Sequence, residues 1–158
     1  MNKNINRNES LKWANDTKNL EIDDIIIVSN NSLRGVYGIF VKSQLDKDEN
    51  KKCIYVGWSD NIYLRMFSSN GHITKLKKGI HSNKSLVKAM NNGDKIIIKI
   101  LEKVKLEFDN YYKDIQRLTS MENKCIDFYQ SKGECLEQVP EGKVMSKDKW
   151  NDKKLQNQ

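Results

Sequence analysis

The sequence is poor in residues that interrupt, cross-link or anchor a chain. Its 158 residues contain one proline, Pro140, and no Pro- or Gly-rich linker, so no internal domain boundary is signalled. The three cysteines, Cys53, Cys125 and Cys135, form no close pair along the chain, which argues against a disulfide framework and a tetrahedral zinc site. We interpret them as reduced, structural thiols. No apolar run approaches the roughly 20 residues that cross a bilayer, and no secretory signal is present, so we expect a cytoplasmic protein without a membrane partner.

The composition favours one folded domain with a basic surface. The length suits a single core with short terminal extensions. Lysine and arginine number 28 against 21 acidic residues, which gives a formal charge of +7. Such a charge attracts polyanions such as nucleic acid in a salt-dependent way. A Lys- and Asn-rich composition also follows from an AT-rich genome, so the charge alone does not separate a nucleic-acid surface from a solvated one.

The N-terminal part of the chain predicts a leader made of a helix and a strand. Residues 1–9 are polar and predicted to be frayed, after which Ser10 is a candidate cap of a short helix. Residues 25–28 form a β-branched run that predicts a short strand, followed by a polar turn cluster at 29–32. We therefore expect residues 1–33 to form a leader ahead of the main domain.

Two β-favouring runs follow the leader and predict a hairpin. GVYGIFVKS at 35–43 and CIYVGWS at 53–59 flank the polar turn LDKDENKK. Because alternate residues of a strand share a face, Tyr55 is expected to share its face with Cys53. The same alternation allows Tyr37 and Tyr55 to point in one direction.

The rest of the chain predicts three helices, a third strand and a charged tail. The predicted elements are a helix capped by Asp60 that ends before the Ser-Ser-Asn-Gly at 68–71, a helix over 81–91, a buried strand over 95–101, and a long helix from about Tyr112 to Ser131. The tail from residue 141 to 158 holds Trp150, which can anchor a short closing helix.

The long helix carries an acidic residue within its apolar stripe. Ile115, Leu118, Cys125 and Tyr129 recur at helical spacing, and Glu122 falls among them. A carboxylate directed toward a core is costly unless it meets a cation, a hydrogen-bond donor or a metal ion.

Four short motifs in this order resemble the GIY-YIG nuclease family. They are Gly35-Val36-Tyr37, Tyr55-Val56-Gly57, Arg65 on the first predicted helix after the hairpin, and Glu122 on the long helix. Each motif alone is weak, whereas four in order on the expected elements are a strong signal. The resemblance implies an α/β domain over residues 34–140, with a small three-stranded, mainly antiparallel sheet flanked by helices. Residues 141–158 would then form a basic C-terminal tail.

The resemblance implies a DNA endonuclease that hydrolyses phosphodiester bonds by metal-assisted attack of water, leaving a 5′-phosphate and a 3′-hydroxyl. Tyr37 would orient or deprotonate the water, with Tyr55 beside it. A phenol with a pKa of about 10 needs nearby positive charge to act as a base. Arg65 would clamp the phosphate, and Glu122 would bind one divalent ion, Mg²⁺ or Mn²⁺. The structural alternatives are a core aromatic, a solvated arginine and a buried ion-pair partner.

Two histidines complete the catalytic candidates that the resemblance implies, and one position departs from the family pattern. His72 and His81 are the only histidines, and His72 lies seven residues after Arg65. Either ring could instead cap a helix or lie on the surface. The family commonly has an asparagine after the glutamate helix, and here Gln138 is the nearest substitute.

A strip of lysines is the predicted DNA-facing surface. It comprises Lys75, Lys77, Lys78, Lys84 and Lys88, which together with Gln138 would contact phosphates without regard to sequence. A solvated helix face is the alternative. Two further alternatives remain for the whole chain: a catalytically weak or inactive DNA-binding module on the same fold, and an interaction protein whose charge only keeps it in solution.

Overall fold

The computed structural model describes residues 3–29, 32–45, 50–135, 137–139 and 146–156, and within them the chain forms a sheet with helices on both faces. The helices are α1 (Lys3–Asp16), α2 (Asp24–Ser29), α3 (Ile62–Phe67), α4 (His72–Lys78), α5 (Lys84–Asn92), α6 (Tyr111–Gln130) and α7 (Lys147–Gln156). The strands are β1 (Leu20–Ile22), β2 (Gly35–Lys42), β3 (Lys52–Ser59) and β4 (Lys95–Lys103).

The sheet is mixed and has four strands in the order β1-β4-β2-β3. Strand β2 is antiparallel to both β3 and β4, while β1 is parallel to β4. The predicted α/β class is therefore confirmed. The three predicted strands are present as the antiparallel set β4-β2-β3, and the prediction missed β1, which adds a fourth, parallel strand. Strand β3 is at the edge of the sheet, so its outer side pairs with no further strand among the described residues.

The added strand and the helix that follows it correct the predicted leader. The β-branched run at 25–28 lies in α2, and the strand is formed instead by Leu20–Ile22. Asp23 separates the two elements: its N–H donates to the carbonyl of Ile98 at 2.9 Å, and its carboxylate accepts from the N–H of Ile25 at 3.3 Å. Burial of Ile26 then holds the helix against the core, so packing overrides the β propensity of the run.

The first helix also differs from the prediction. Helix α1 begins at Lys3, so the predicted fraying of residues 1–9 is wrong for residues 3–9. Ser10 lies inside this helix instead of capping it, and its hydroxyl is 2.6 Å from that of Thr74 on α4. This buried hydrogen bond ties the leader to the main body of the fold.

Strand β2 separates two buried layers. Tyr37 and Ile39 face the layer that includes α3, α4 and α5, whereas Val36 and Phe40 face α6. On β3 the register shifts between the partners of Ile39 and Phe40. This β-bulge places Tyr55 against the first layer and Cys53 in the second. The expectation that these two residues share a face is therefore wrong.

Gly35, the first residue of β2, is required by the close approach of β4. Its φ is +147°, and a Cβ atom built on it would lie 2.0 Å from the carbonyl oxygen of Glu102. Only glycine avoids this clash at the start of the central strand. The glycine of the Gly-x-Tyr motif is thus a structural requirement of the sheet.

The tail is helical but its tryptophan does not anchor it. Trp150 lies in α7 and is exposed, which contradicts the predicted anchoring role.

Residues 30–31, 46–49 and 140–145, which carry parts of two predicted turns and the predicted domain boundary, lie outside the described residues. Among the helices that the structure describes, none has the length and apolar character needed to cross a membrane.

Arg34 connects three elements immediately before β2. Its guanidinium donates to the carboxylate of Asp114 on α6 at 2.6 Å, to Asp60 after β3 at 3.0 Å, and to the carbonyl of Val104 at 3.2 Å. The side chains of Arg34 and Asp114 are only 11% and 8% exposed, so this pair is largely removed from water. Asp60 is 77% exposed and its ion pair is screened.

We expect Asp114→Ala to lower the free energy of unfolding by about 3 kcal/mol, because it leaves the buried Arg34 charge without its main partner. The matched control Asp60→Ala removes the exposed ion pair and should cost less than about 1 kcal/mol. Urea denaturation of both variants measures the difference. Equal effects would contradict the inference that the buried pair holds α6 to the sheet.

Candidate active site

A cavity of about 550 Å³ opens beside the edge strand β3. The lining side chains with functional chemistry come from separate elements and include Tyr55, Arg65, His72, Lys75, His81 and Glu137. The start of α5 and the segment after α6 complete the wall. The cavity therefore brings together most of the predicted catalytic residues, which are spread over a long stretch of the sequence.

Three side chains form a hydrogen-bonded row from β2 to the start of α5. Tyr37 Oη lies 2.7 Å from His72 Nε2, and His72 Nδ1 lies 2.7 Å from His81 Nε2. The backbone N–H of Asn83 donates to His81 Nδ1 at 3.0 Å. Every ring nitrogen of both histidines thus has a partner within the row.

The backbone of Asn83 sets the direction of these hydrogen bonds. Because an N–H can only donate, His81 Nδ1 is an acceptor and a neutral His81 carries its proton on Nε2. That proton is donated to His72 Nδ1, which leaves the His72 proton on Nε2 to be donated to Tyr37 Oη. The phenol proton of Tyr37 must then point away from His72, on the side where Tyr55 and Arg65 are its polar neighbours.

The surroundings keep both rings neutral, as this direction requires. Burial lowers the pKa of His72 to about 2, and the positive charge of Arg65 adds to the effect. Burial also lowers the pKa of His81 to about 4, followed by the charge of Lys75. Each ring therefore acts as a fixed donor and acceptor at neutral pH.

The two tyrosines occupy different environments. Tyr37 is fully buried, and burial raises the pKa of its phenol well above the ordinary value. It remains protonated at neutral pH and lies behind the cavity wall. Tyr55 is half-buried and lines the cavity, with its ring centroid 6.2 Å from that of Tyr37 and 5.1 Å from that of His72. In this arrangement Tyr55 is the phenol that can touch a ligand.

Gly57 allows the two tyrosines to approach each other. It pairs with Tyr37 across the β2–β3 ladder. A Cβ atom on Gly57 would lie 2.5 Å from Tyr37 Oη and 2.9 Å from Tyr55 Cε1, both closer than real contacts. The glycine of the Tyr-x-Gly motif therefore keeps space for the phenols.

Positive charge dominates the wall of the cavity. Arg65 on α3, Lys75 on α4 and Lys84 on α5 line it, whereas Glu137 is the carboxylate among the described lining residues. Arg65 Nη1 donates to the carbonyl of Asn70 at 3.4 Å, a long hydrogen bond at an exposed position. The cavity is therefore suited to an anionic ligand.

Glu122 is not brought into this cavity. It lies on the buried stripe of α6 with Leu118 and Ile126, and α6 packs on the face of the sheet opposite Tyr37. Its side chain is 5% exposed, and it is not among the described residues that line the cavity. Within the described part of the chain, no group of three or more His, Cys, Asp and Glu side chains could hold a metal ion.

The predicted DNA contacts divide into two groups. Lys75 and Lys84 line the cavity, while Lys77, Lys78 and Lys88 lie exposed on α4 and α5 outside it. Gln138 lines the cavity, but its amide is engaged by the edge strand. Its Oε1 accepts from the N–H of Val56 at 2.8 Å, and its Nε2 donates to the carbonyl of the same residue.

Sequence reasoning missed two residues of the site. Asn83 caps α5 by accepting from the N–H groups of Ser85 and Leu86, so the helix begins at Lys84 and the predicted start at His81 is wrong. An asparagine ahead of a helical run is a signal that could have placed this cap. Glu137 has no such signal, because it enters the cavity only through the path of the chain after α6.

We expect Gly57→Ala to disturb the site more than the sheet. The added methyl group must displace Tyr37 or Tyr55, and overpacking of this kind costs about 1–3 kcal/mol. Gly79→Ala is the control for a glycine replaced where there is space, because a Cβ atom there meets nothing within 4 Å. Gly79 has a φ of +70°, so its variant adds backbone strain but no contact with the tyrosines. NMR spectra of the tyrosine ring protons should change in the Gly57 variant only. Unchanged ring signals would contradict the close approach.

Stability should fall as the solution is acidified. The unfolded histidines take up protons near pH 6.5, whereas His72 and His81 in the fold resist protonation down to pKa values of about 2 and 4. Their contribution is complete above pH 6.5 and is lost as the pH falls, on the order of 1 kcal/mol per pH unit for each ring. Urea unfolding at pH 7, 6 and 5 measures this slope, which His81→Gln should reduce. A flat profile would contradict neutral buried rings.

Comparison with protein-family models, with curated proteins and with solved structures finds no match to this chain. The likeness to the GIY-YIG nucleases therefore depends on the four motifs in the sequence alone.

Proposed function

We propose that this chain is a DNA endonuclease that hydrolyses phosphodiester bonds, with the cavity beside β3 as its active site. The observation that carries the proposal is the convergence of Tyr55, Arg65, His72 and His81 in one basic cavity, backed by the buried Tyr37. A chance assembly of these residue types at the motif positions is improbable. A DNA substrate and a cytoplasmic location belong to the same proposal.

The cationic residues would bind the scissile phosphate. Arg65 offers a planar fork of donors that matches two phosphate oxygens, and its charge persists at any physiological pH. Lys75 and Lys84 line the same cavity and would neutralise the charge that grows on the phosphate during attack. The exposed Lys77, Lys78 and Lys88 would contact neighbouring phosphates of the same strand.

Tyr55 is the better candidate to meet the attacking water. The row of hydrogen bonds from Asn83 through His81 and His72 reaches Tyr37, whose own proton points to the side of Tyr55. Each donor in the row points toward Tyr55, and donors aligned in this way favour negative charge on the phenol that follows the row. We therefore assign Tyr55 to orient the water or accept its proton, and Tyr37 with the two histidines to position Tyr55.

The metal requirement stays a prediction. The resemblance implies Mg²⁺ or Mn²⁺ held by Glu122, and a single carboxylate with retained waters is a common arrangement for magnesium. The burial of Glu122 on α6, outside the cavity, does not fit that role in this conformation. No step of the mechanism is therefore assigned to the ion.

A second candidate function is DNA binding with weak or absent catalysis. Two observations favour it: Glu122 lies outside the cavity, and the amide of Gln138 is occupied by the backbone of Val56. The basic wall would still hold a phosphate backbone, with an affinity that falls as salt rises. The third interpretation, an interaction protein, predicts neither binding nor cleavage.

Incubation with supercoiled plasmid and Mg²⁺ or Mn²⁺ separates these functions. We expect nicking by the parent chain, and a rate lowered by roughly 100-fold in Arg65→Ala because one phosphate-binding charge is lost. Tyr55→Phe should also lose most of the activity, since the hydroxyl is removed while the ring remains. Lys88→Ala is the matched control outside the cavity and should stay within several-fold of the parent.

The outcome decides between the candidates in defined ways. Nicking that stops with excess EDTA supports the metal requirement, and Glu122→Gln then tests the predicted ligand. Salt-sensitive retention of DNA without nicking, in either metal, supports the binding module. Nicking that is equal in the parent and Arg65→Ala would contradict the assignment of this cavity.

A further inference from the structure

Two cysteines that are far apart in the sequence meet in the wall of the cavity. Cys53 on β3 and Cys135 after α6 are both reduced, and their sulfur atoms are 3.1 Å apart. Their backbones are also joined, since the N–H of Cys135 donates to the carbonyl of Cys53 at 3.1 Å. The two thiols are therefore in contact without being bonded.

The local fold holds this pair in place. The β-bulge in β3 turns Cys53 toward the layer of α6, where Cys135 lies. Cys135 has a φ of +52°, an uncommon conformation for a residue other than glycine. Hydrogen bonds on either side hold this backbone conformation. Gln130 Nε2 donates to the Cys135 carbonyl at 2.9 Å, and the carboxylate of the preceding residue, Glu134, accepts from the N–H of Cys53 at 2.8 Å.

Because these hydrogen bonds hold the backbone of Cys135 in an uncommon conformation next to Cys53, the distance between the two sulfur atoms is well defined. A disulfide has a sulfur–sulfur length of about 2.05 Å, so bond formation needs an approach of roughly 1 Å, which side-chain rotation can supply. Both residues line the 550 Å³ cavity and are themselves buried, so an oxidant that reaches them must be as small as a hydroperoxide and must enter through this cavity. Cys125 is half-buried on α6 and is not among the described lining residues.

We propose that Cys53 and Cys135 are a redox modification site that is converted to an intramolecular disulfide by a hydroperoxide. One thiolate attacks the peroxide oxygen, forming a sulfenic acid while the O–O bond breaks. The second thiol then attacks the sulfenic sulfur and releases water. With hydrogen peroxide, two thiols and one peroxide give one disulfide and two waters, so the cysteines lose two electrons and the peroxide gains them.

The two thiols share a hydrogen bond in which the Cys135 thiol donates to the Cys53 sulfur at 3.1 Å. Whichever thiolate is oxidised first, the other sulfur is already in contact with it and can resolve the sulfenic acid. The resulting bond would tie the segment that carries Glu137 and Gln138 to the edge strand.

The test treats the folded full-length chain with hydrogen peroxide, blocks remaining thiols with an alkylating agent, and counts them by intact mass. We expect the three free thiols to fall to one, with recovery after dithiothreitol. A tryptic map should show a peptide pair joined through Cys53 and Cys135. The matched variant Cys125→Ser should still form the bond, whereas Cys135→Ser should not.

Several results would overturn the proposal. These are a disulfide that involves Cys125, a crosslink between two chains in place of the internal one, or oxidation of Cys135 to sulfinic acid without a disulfide. If Cys135→Ser fails to fold, the tryptic map of the parent and of Cys125→Ser still decides the pairing. The test uses no DNA, so its result is independent of the proposed nuclease activity.

Discussion

The site depends on one directed row of hydrogen bonds, from the backbone of Asn83 through His81 and His72 to Tyr37. A backbone N–H cannot reverse its role, so the proton on each ring is assigned once Asn83 caps α5. The burial of Tyr37 and His72 makes this assignment strong, since an unmatched polar group there would lose a hydrogen bond without compensation from water. The backbone N–H of Asn83, at the start of α5, thereby sets the direction of the hydrogen bond that Tyr37 receives in the sheet.

The sheet provides the geometry that this row needs. Gly57 leaves space for the two tyrosines, and the bulge in β3 directs Tyr55 to one layer and Cys53 to the other. The edge position of β3 leaves one side of the strand to form the cavity wall. Gln138 covers part of that free edge through the backbone of Val56, so the wall is continuous.

The basic wall of the cavity favours an anionic ligand, and the Tyr55 phenol lies beside imidazoles that hold their protons in fixed positions. Arg65, Lys75 and Lys84 supply the positive charge. The carboxylate that the family resemblance assigns to a metal lies elsewhere, on the buried stripe of α6. Because Glu122 lies apart from the cavity, cleavage and binding both stay candidate functions. In either case the phosphate would contact the residues that line the cavity.

The sequence by itself determined the elements with strong local signals and the residues of the four motifs. The β-favouring runs became β2 and β3, the long periodic segment became α6, and the burial of Glu122 followed from its place in the stripe. Local propensity failed at residues 25–28, where Asp23 caps a helix and burial of Ile26 prevails over the β-branched pattern. Only the tertiary structure decided which layer each face of β3 meets, because a single bulge reverses the alternation. It also decided the contact of Cys53 with Cys135 and the distance of Glu122 from the cavity, since both follow from the path of α6 across the sheet, which no local pattern encodes.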